Sequence, residues 1–264
     1  MAEVVVKAMI ITPVIRKFGY PFLLSAFFYR ILKTILTKGG QGHSIIIRII
    51  VQQIYFTAVE VLLLLGIIGV IFGALVIIQT LAQLSRVGIS EALGQFLVVI
   101  VIRELGPMIA AVIVILHSGT AMATEVGYMT VLGDIRAIVM RGIDPIHFVA
   151  VPRLIGTTIA MICLLIYFDV VALLGGFIVS WLLTGTPFYT FILGVAASIG
   201  ASDIIIGFIK AIFFAAIIVV ICVYRGLQVG GEITRLPRAI SKSSIECLLS
   251  LLVVDLIISG IFYL

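Results

Sequence analysis

Arg103, Glu104, Asp169, Lys210 and Asp255 each stand inside a long apolar stretch of this sequence. An ionisable side chain at bilayer depth costs at least about 2.5–3.5 kcal/mol on insertion scales, so such residues normally face a bundle interior or a wet cavity and have partners. Two roles fit them: an ion-pair network that fixes helix order, or a working centre that meets a charged cargo. Within RELGP (103–107), Arg103 and Glu104 diverge by about 100° on a helix and so address different partners rather than each other. Pro107 lacks an N–H, and its ring clashes with the carbonyl four residues earlier, which frees the carbonyl of Arg103. Together with Gly106 it predicts a kink in this span, a hinge beside the charges. At about 1.5 Å of rise per residue, Lys210 and Asp255 both fall in the outer half or near the midplane of a core about 30 Å thick, where they can pair across helices.

Other chemistry is missing. No GxxxxGK[ST], HExxH or GxSxG occurs, so any ATP must be bound by another chain and an enzyme is not expected. His43, His117 and His147 are scattered, and adjacent His117-Ser118 makes a poor nucleophile pair. Cys163, Cys222 and Cys247 lack CxxC spacing and read as small buried hydrophobes. No metal or cofactor is expected on this chain.

These charges need helices to hold them. Of the 264 residues, 63% are hydrophobic and 11% charged, against about 45–50% and about 25% in soluble domains. The chain therefore reads as an all-α integral membrane protein, and apolar segments that recur to Leu264 give no reason to expect a cleaved signal. Five stretches have spanning length, 54–81, 92–116, 154–183, 204–227 and 245–263. Ahead of them, 18–29 (FGYPFLLSAFFY) is too short to cross, contains Pro21 and is flanked by Arg16, Lys17, Arg30, Lys33 and Lys38. It suits an amphipathic helix in the headgroup layer, within an N-terminal interfacial segment 1–48 that precedes a five-span bundle 54–263. Gly69 and Gly73 form a GxxxG in the first span after Gly66, and Gly175-Gly176 sits in the third; both predict close helix contact.

Charge distribution orients the bundle. Seven basic residues precede the first span, three lie in 117–153 and four in 225–242, whereas 82–91 holds only Arg86 and 184–203 holds none. The positive-inside bias places the N-terminus, 117–153 and 225–244 in the cytoplasm and the C-terminus outside. The net charge of +5 thus reports topology and not nucleic-acid binding. Within 117–153, residues 125–140 lack proline and alternate apolar with polar groups at helical spacing until Gly142, Asp144 and Pro145 stop them. One cytoplasmic helix parallel to the membrane is predicted there, a handle for a cytoplasmic motor.

Several motifs occur in an order that resembles one family. They are FGALVIIQ (72–79), RELGP (103–107), SGTAMATEVGYM (118–129), GIDP (142–145) with VPR (151–153), DVVALLGG (169–176), GFIKAIFF around Lys210, RAISK (238–242) and VVDLIIS around Asp255. The chain resembles, over nearly its whole length, the MlaE/YrbE-type permeases, membrane subunits of MCE-associated ABC lipid transporters. The resemblance implies one permease domain over 1–264 in a bacterial inner membrane, acting as a homodimer. It also implies a cytoplasmic ABC ATPase pair that carries the ATP and Mg, a periplasmic MCE-domain partner and phospholipid cargo. Arg103, Glu104, Asp169, Lys210 and Asp255 become candidates for an intramembrane transport cluster, with Gly106 and Pro107 as its hinge. Glu125, Met129, Asp134, Arg136, Arg141 and Asp144, on a coupling helix over 125–141, become candidate contacts to the ATPase. Leu75, Ile78, Gln79 and Leu81 become candidate lining of a lipid cavity.

The chain also departs from the family. Where the family reads G-R-x-G-S, this sequence has His117-Ser118-Gly119-Thr120, without the arginine. Where the family's coupling helix reads T-E-Q-I-D-A-L-E, this sequence has Leu132-Gly133-Asp134-Ile135-Arg136-Ala137-Ile138-Val139. Acids are lost and an arginine is gained, which implies an ATPase of different charge complement. The alternative function is an ion-coupled secondary transporter with Glu104, Asp169 or Asp255 as proton carriers; it calls for inverted repeats, which the five spans do not show.

Overall fold

The computed structural model describes residues 19–38, 43–87, 98–230 and 233–263, and among these no strand occurs. Phe18, the basic residues Lys7, Arg16 and Lys17, and the expected start of the second span at Ala92 lie outside the described residues. Helix α1 is Tyr20–Lys38. Helix α2 (His43–Ala58) leads through a 3₁₀ turn, Val59–Val61, into α3 (Leu62–Val87). A π-helical stretch Val98–Leu105 passes at Gly106 into α4 (Gly106–Val114), and a second, Ile115–Gly119, passes into α5 (Thr120–Leu132). The short α6 is Asp134–Met140. A third π-helical stretch, Ile146–Ala150, precedes α7 (Val151–Thr184), after which come α8 (Phe188–Ser198), α9 (Ala201–Leu227) and α10 (Leu236–Tyr263).

Among the described residues, five helical runs are long and apolar enough to cross a membrane: Ile45–Ala82, Ile100–Leu132, Ile146–Thr184, Ala201–Leu227 and Ile233–Phe262. Each overlaps one expected span, and each differs from it at an end. Hydropathy marks where apolar residues stop, whereas hydrogen bonding carries a helix on into polar sequence. The connection 184–203, read as a plain link, holds α8. Eleven residues are too few to span a membrane, yet α8 is fixed by Phe177, whose ring lies 4.9 Å from that of Phe188 and 5.6 Å from that of Phe191.

The chain divides into two compact units. One comprises the described residues to Gln53, Ile115–Thr157 and Ala216–Ser250. In it α1 runs beyond 18–29 to Lys38 and buries Phe27, Ile31 and Thr34, a stripe at helical spacing, with the Phe27 ring 5.7 Å from that of Tyr224. Gly127 and Gly226 bring helices close here. A Cβ at Gly127 would lie 2.2 Å from Leu236, and one at Gly226 would lie 2.8 Å from Val126. Arg225 pairs with Glu246 through Nε at 2.7 Å and through Nη2. The buried thiols of Cys222 and Cys247 are 3.7 Å apart.

In this unit the helix expected as one piece over 125–140 is broken. Gly133 has φ +86°, a left-handed conformation that caps α5 and turns the chain before α6 begins. Glycine lacks the Cβ that penalises that conformation, which is why helices so often end there. Glu125 and Met129 therefore belong to α5, while Asp134 and Arg136 belong to α6.

The other unit comprises Ile54–Val114, Thr158–Ala215 and the described residues from Leu251. The small-residue motifs bring backbones together in it. A Cβ at Gly73 would lie 1.9 Å from the carbonyl oxygen of Ala172, and one at Gly175 would lie 2.6 Å from that of Val70. Helices α3 and α7 touch main chain to main chain, the contact that GxxxG spacing permits in a membrane, where close packing replaces the hydrophobic drive.

Candidate functional site

A charge cluster sits within the second unit, and Lys210 of α9 is its centre. The side chain is buried completely, and its ammonium group has two hydrogen-bond acceptors and a further ion-pair partner. Lys210 Nζ donates to Glu104 Oε2 at 3.0 Å and to the main-chain oxygen of Arg103 at 2.9 Å, and it lies 2.9 Å from Asp255 Oδ1. The backbone acceptor has a local cause. Pro107 cannot donate to the carbonyl four residues back, and the π-helical winding of Val98–Leu105 ends at the Gly106-Pro107 step. The orphaned carbonyl of Arg103 is taken up by the lysine.

Arg103 and Glu104 turn to different partners. Arg103 Nε lies 2.8 Å from Asp203 Oδ1, and its Nη2 donates to Asp203 Oδ2 at 3.2 Å. Asp203 is buried in the first turn of α9, where Oδ2 also accepts the N–H of Gly200 at 2.9 Å. Glu104 accepts from Ser259 Oγ on α10, 2.9 Å from Oε1 and 3.2 Å from Oε2. Neither Asp203 nor Ser259 stands out in the sequence. Hydropathy begins the fourth span one residue later, at Ile204, although an acid three residues beyond Gly200 is an ordinary helix-start signal. A serine in an apolar helix carries no comparable mark.

Asp169 makes none of these contacts. Its Oδ1 is buried without a hydrogen-bond partner among the described residues, and a Cβ on Gly106 would come within 2.3 Å of it. The carboxyl group packs directly on the glycine of the expected hinge. Leu75, Ile78 and Gln79 are exposed on α3 and Leu81 is partly so. An apolar groove of about 410 Å³ lies about one to three turns earlier, lined by Leu63, Gly66, Ile67, Val70, Tyr167 and Val171, among others.

Of the expected ATPase contacts, Asp134, Arg136 and Arg141 are exposed and Met129 and Asp144 are partly buried. No residue of α6 is buried. Leu132, at the end of α5, and Met140, at the end of α6, are 71% and 87% exposed. Glu125 is exposed too, but its Oε2 is held 2.6 Å from Nη2 of the buried Arg153.

The cluster consists of paired charges and one serine hydroxyl, and no group of three metal-ligating side chains occurs among the described residues. Its chemistry is that of a lock. It joins the turn before Gly106 to α9 and α10, with Arg103 and Glu104 partly open at its edge.

Comparison with known proteins adds the following. The family model described as "Permease MlaE" matches residues 50–261. A probable ABC transporter permease of Rickettsia prowazekii is 26% identical over 215 residues, 81% of this chain and 83% of that protein. The intermembrane phospholipid transport system permease of Haemophilus influenzae is 27% identical over 216 residues, again 81% of this chain and 83% of its own length. The chloroplastic TRIGALACTOSYLDIACYLGLYCEROL 1 protein of Arabidopsis thaliana is 25% identical over 186 residues, 70% of this chain and 53% of that protein.

Proposed function

Because this chain belongs to the MlaE permease family, we propose that it is the membrane subunit of an ATP-driven phospholipid transporter. The observation that carries the reading is α6, a helix with no buried residue on the excursion between two spanning runs, preceded by exposed Leu132, ending at exposed Met140 and flanked by Arg141, with Arg136 on its surface. Such a surface suits a cytoplasmic ATPase, and the chain carries no P-loop of its own. The Haemophilus relative, named as a phospholipid transport permease, supports phospholipid as cargo.

In this reading the protein works as a homodimer in the bacterial inner membrane, with its N-terminus in the cytoplasm and its C-terminus in the periplasm. A cytoplasmic ATPase pair binds ATP and Mg, and an MCE-domain protein exchanges lipid on the periplasmic side. Arg136 and Arg141 call for an acidic counterpart on the ATPase, so a dedicated motor is expected. ATP-driven closure displaces α6, and the helices adjust at the Gly106-Pro107 step. The Lys210 cluster holds one of the two arrangements.

The test is lipid transfer from vesicles that contain the permease and its cognate ATPase. ATP supports transfer and a proton gradient alone does not, and Arg103→Ala abolishes transfer while the ATPase still co-purifies. Gradient-driven transfer without ATP would instead establish the secondary-transporter reading.

A further inference from the structure

Residues 126–152 form an excursion that leaves α5, carries α6 and returns into α7. Its two ends are fastened to each other. Glu125 and Arg153 are 28 residues apart in the chain, yet Arg153 Nη2 lies 2.6 Å from Glu125 Oε2. The other arm of the same guanidinium, Nη1, donates to the main-chain oxygen of Val149 at 2.8 Å, inside the π-helical stretch that leads into α7. One planar, rigid side chain thus ties together α5, the returning segment and α7, which a single-point lysine ammonium cannot do. Arg153 is buried while Glu125 is exposed, so the fixed part of the pair is the arginine and the carboxylate comes to it. The rest of α5 is equally constrained, since Gly127 and Gly226 leave no room between it and its neighbours. The turns of the excursion lie further out, at Gly133 and Gly142, both with positive φ.

We infer that Arg153 is a positioning residue that makes the base of the α6 excursion rigid, so that displacement of α6 is passed to α5 and α7 instead of being absorbed by the loop. Glu125, which the family resemblance assigns to the ATPase interface, acts inside the permease as the partner of Arg153. The surface of α6 is independent of the pair. Loss of the pair therefore leaves docking intact and costs transmission. This inference rests on the ATP-driven reading given above.

The experiment uses the full-length permease co-purified with its ATPase, in vesicles of phosphatidylethanolamine and phosphatidylglycerol that contain a fluorescent phosphatidylethanolamine. Lipid moved per ATP hydrolysed is measured for the native complex, Arg153→Gln, Glu125→Gln, Glu125→Asp and the exchanged pair Glu125→Arg with Arg153→Glu. Each glutamine variant retains its ATPase and lowers the ratio by about tenfold, and the exchanged pair recovers at least part of the loss. Instability reduces the yield of complex but not the ratio within assembled complexes. Should the glutamine variants fail to fold, Glu125→Asp, which keeps the charge and shortens the reach, lowers the ratio on its own. A native ratio in the variants overturns the inference. So does loss of the ATPase from a folded Glu125→Gln permease, which would return Glu125 to the docking surface. A native complex that moves no lipid with ATP would instead overturn the transporter reading and this inference with it.

Discussion

At the scale of single residues, Lys210 governs the cluster because it is the cation shared by Glu104 and Asp255. Removing one partner of a buried ion pair costs about 3–5 kcal/mol, whereas replacing all partners with neutral groups of similar volume is often tolerated. Lys210→Met is accordingly expected to lower the melting temperature of the detergent-purified protein sharply. Adding Glu104→Gln and Asp255→Asn to that variant recovers most of the loss. A triple variant no more stable than Lys210→Met would show that the lysine supports the fold in another way. Much of this contact was readable from the sequence. Depth counting places Lys210 and Asp255 both in the outer half or near the midplane, divergence on the helix separates Arg103 from Glu104, and the missing N–H of Pro107 exposes the carbonyl that Lys210 takes up. Asp203 escaped because its carboxyl group sits at a helix start, where apolar periodicity has not yet begun. Asp169 was grouped with the others by residue type alone, and only the packing against Gly106 separates it from them.

At the scale of elements, long helices follow from composition and short interruptions do not. The helical spacing of 125–140 is the same on both sides of Gly133, so the pattern conceals a break that depends on one backbone angle. Space around Gly133 is open, and a side chain there meets only the conformational penalty of the left-handed region, roughly 1–2 kcal/mol for an ordinary residue. Gly133→Ala is expected to lower thermal stability by about that amount, and Gly133→Asn by less, because asparagine tolerates this conformation better. Equal losses in the two melting curves would mean that the turn is not held in the left-handed form. The glycines of α3 and α7 were easier to read, since their spacing alone specifies a contact and the two backbones meet at those positions.

At the scale of the whole molecule, five apolar stretches were enough to count the spanning runs. The division into two compact units could not be read in the same way, because each unit gathers segments far apart in sequence. The Lys210 cluster has a further consequence when its charges are added. Two cations, Arg103 and Lys210, stand against three carboxylates, Glu104, Asp203 and Asp255, so with every group ionised the sum is a single negative charge. One whole charge carried across a membrane is worth about 2.3 kcal/mol per 100 mV, roughly a 50-fold change in rate. Side chains that exchange partners in place, without the cluster crossing the membrane, carry only a small fraction of that. ATP-driven lipid transfer in vesicles should therefore change by less than about twofold when valinomycin and a potassium gradient impose 100 mV; a steep dependence would mean that a net charge crosses with the cargo. A permease built around this cluster would be electrically silent, able to work at the same pace in an energised membrane and in a depolarised one.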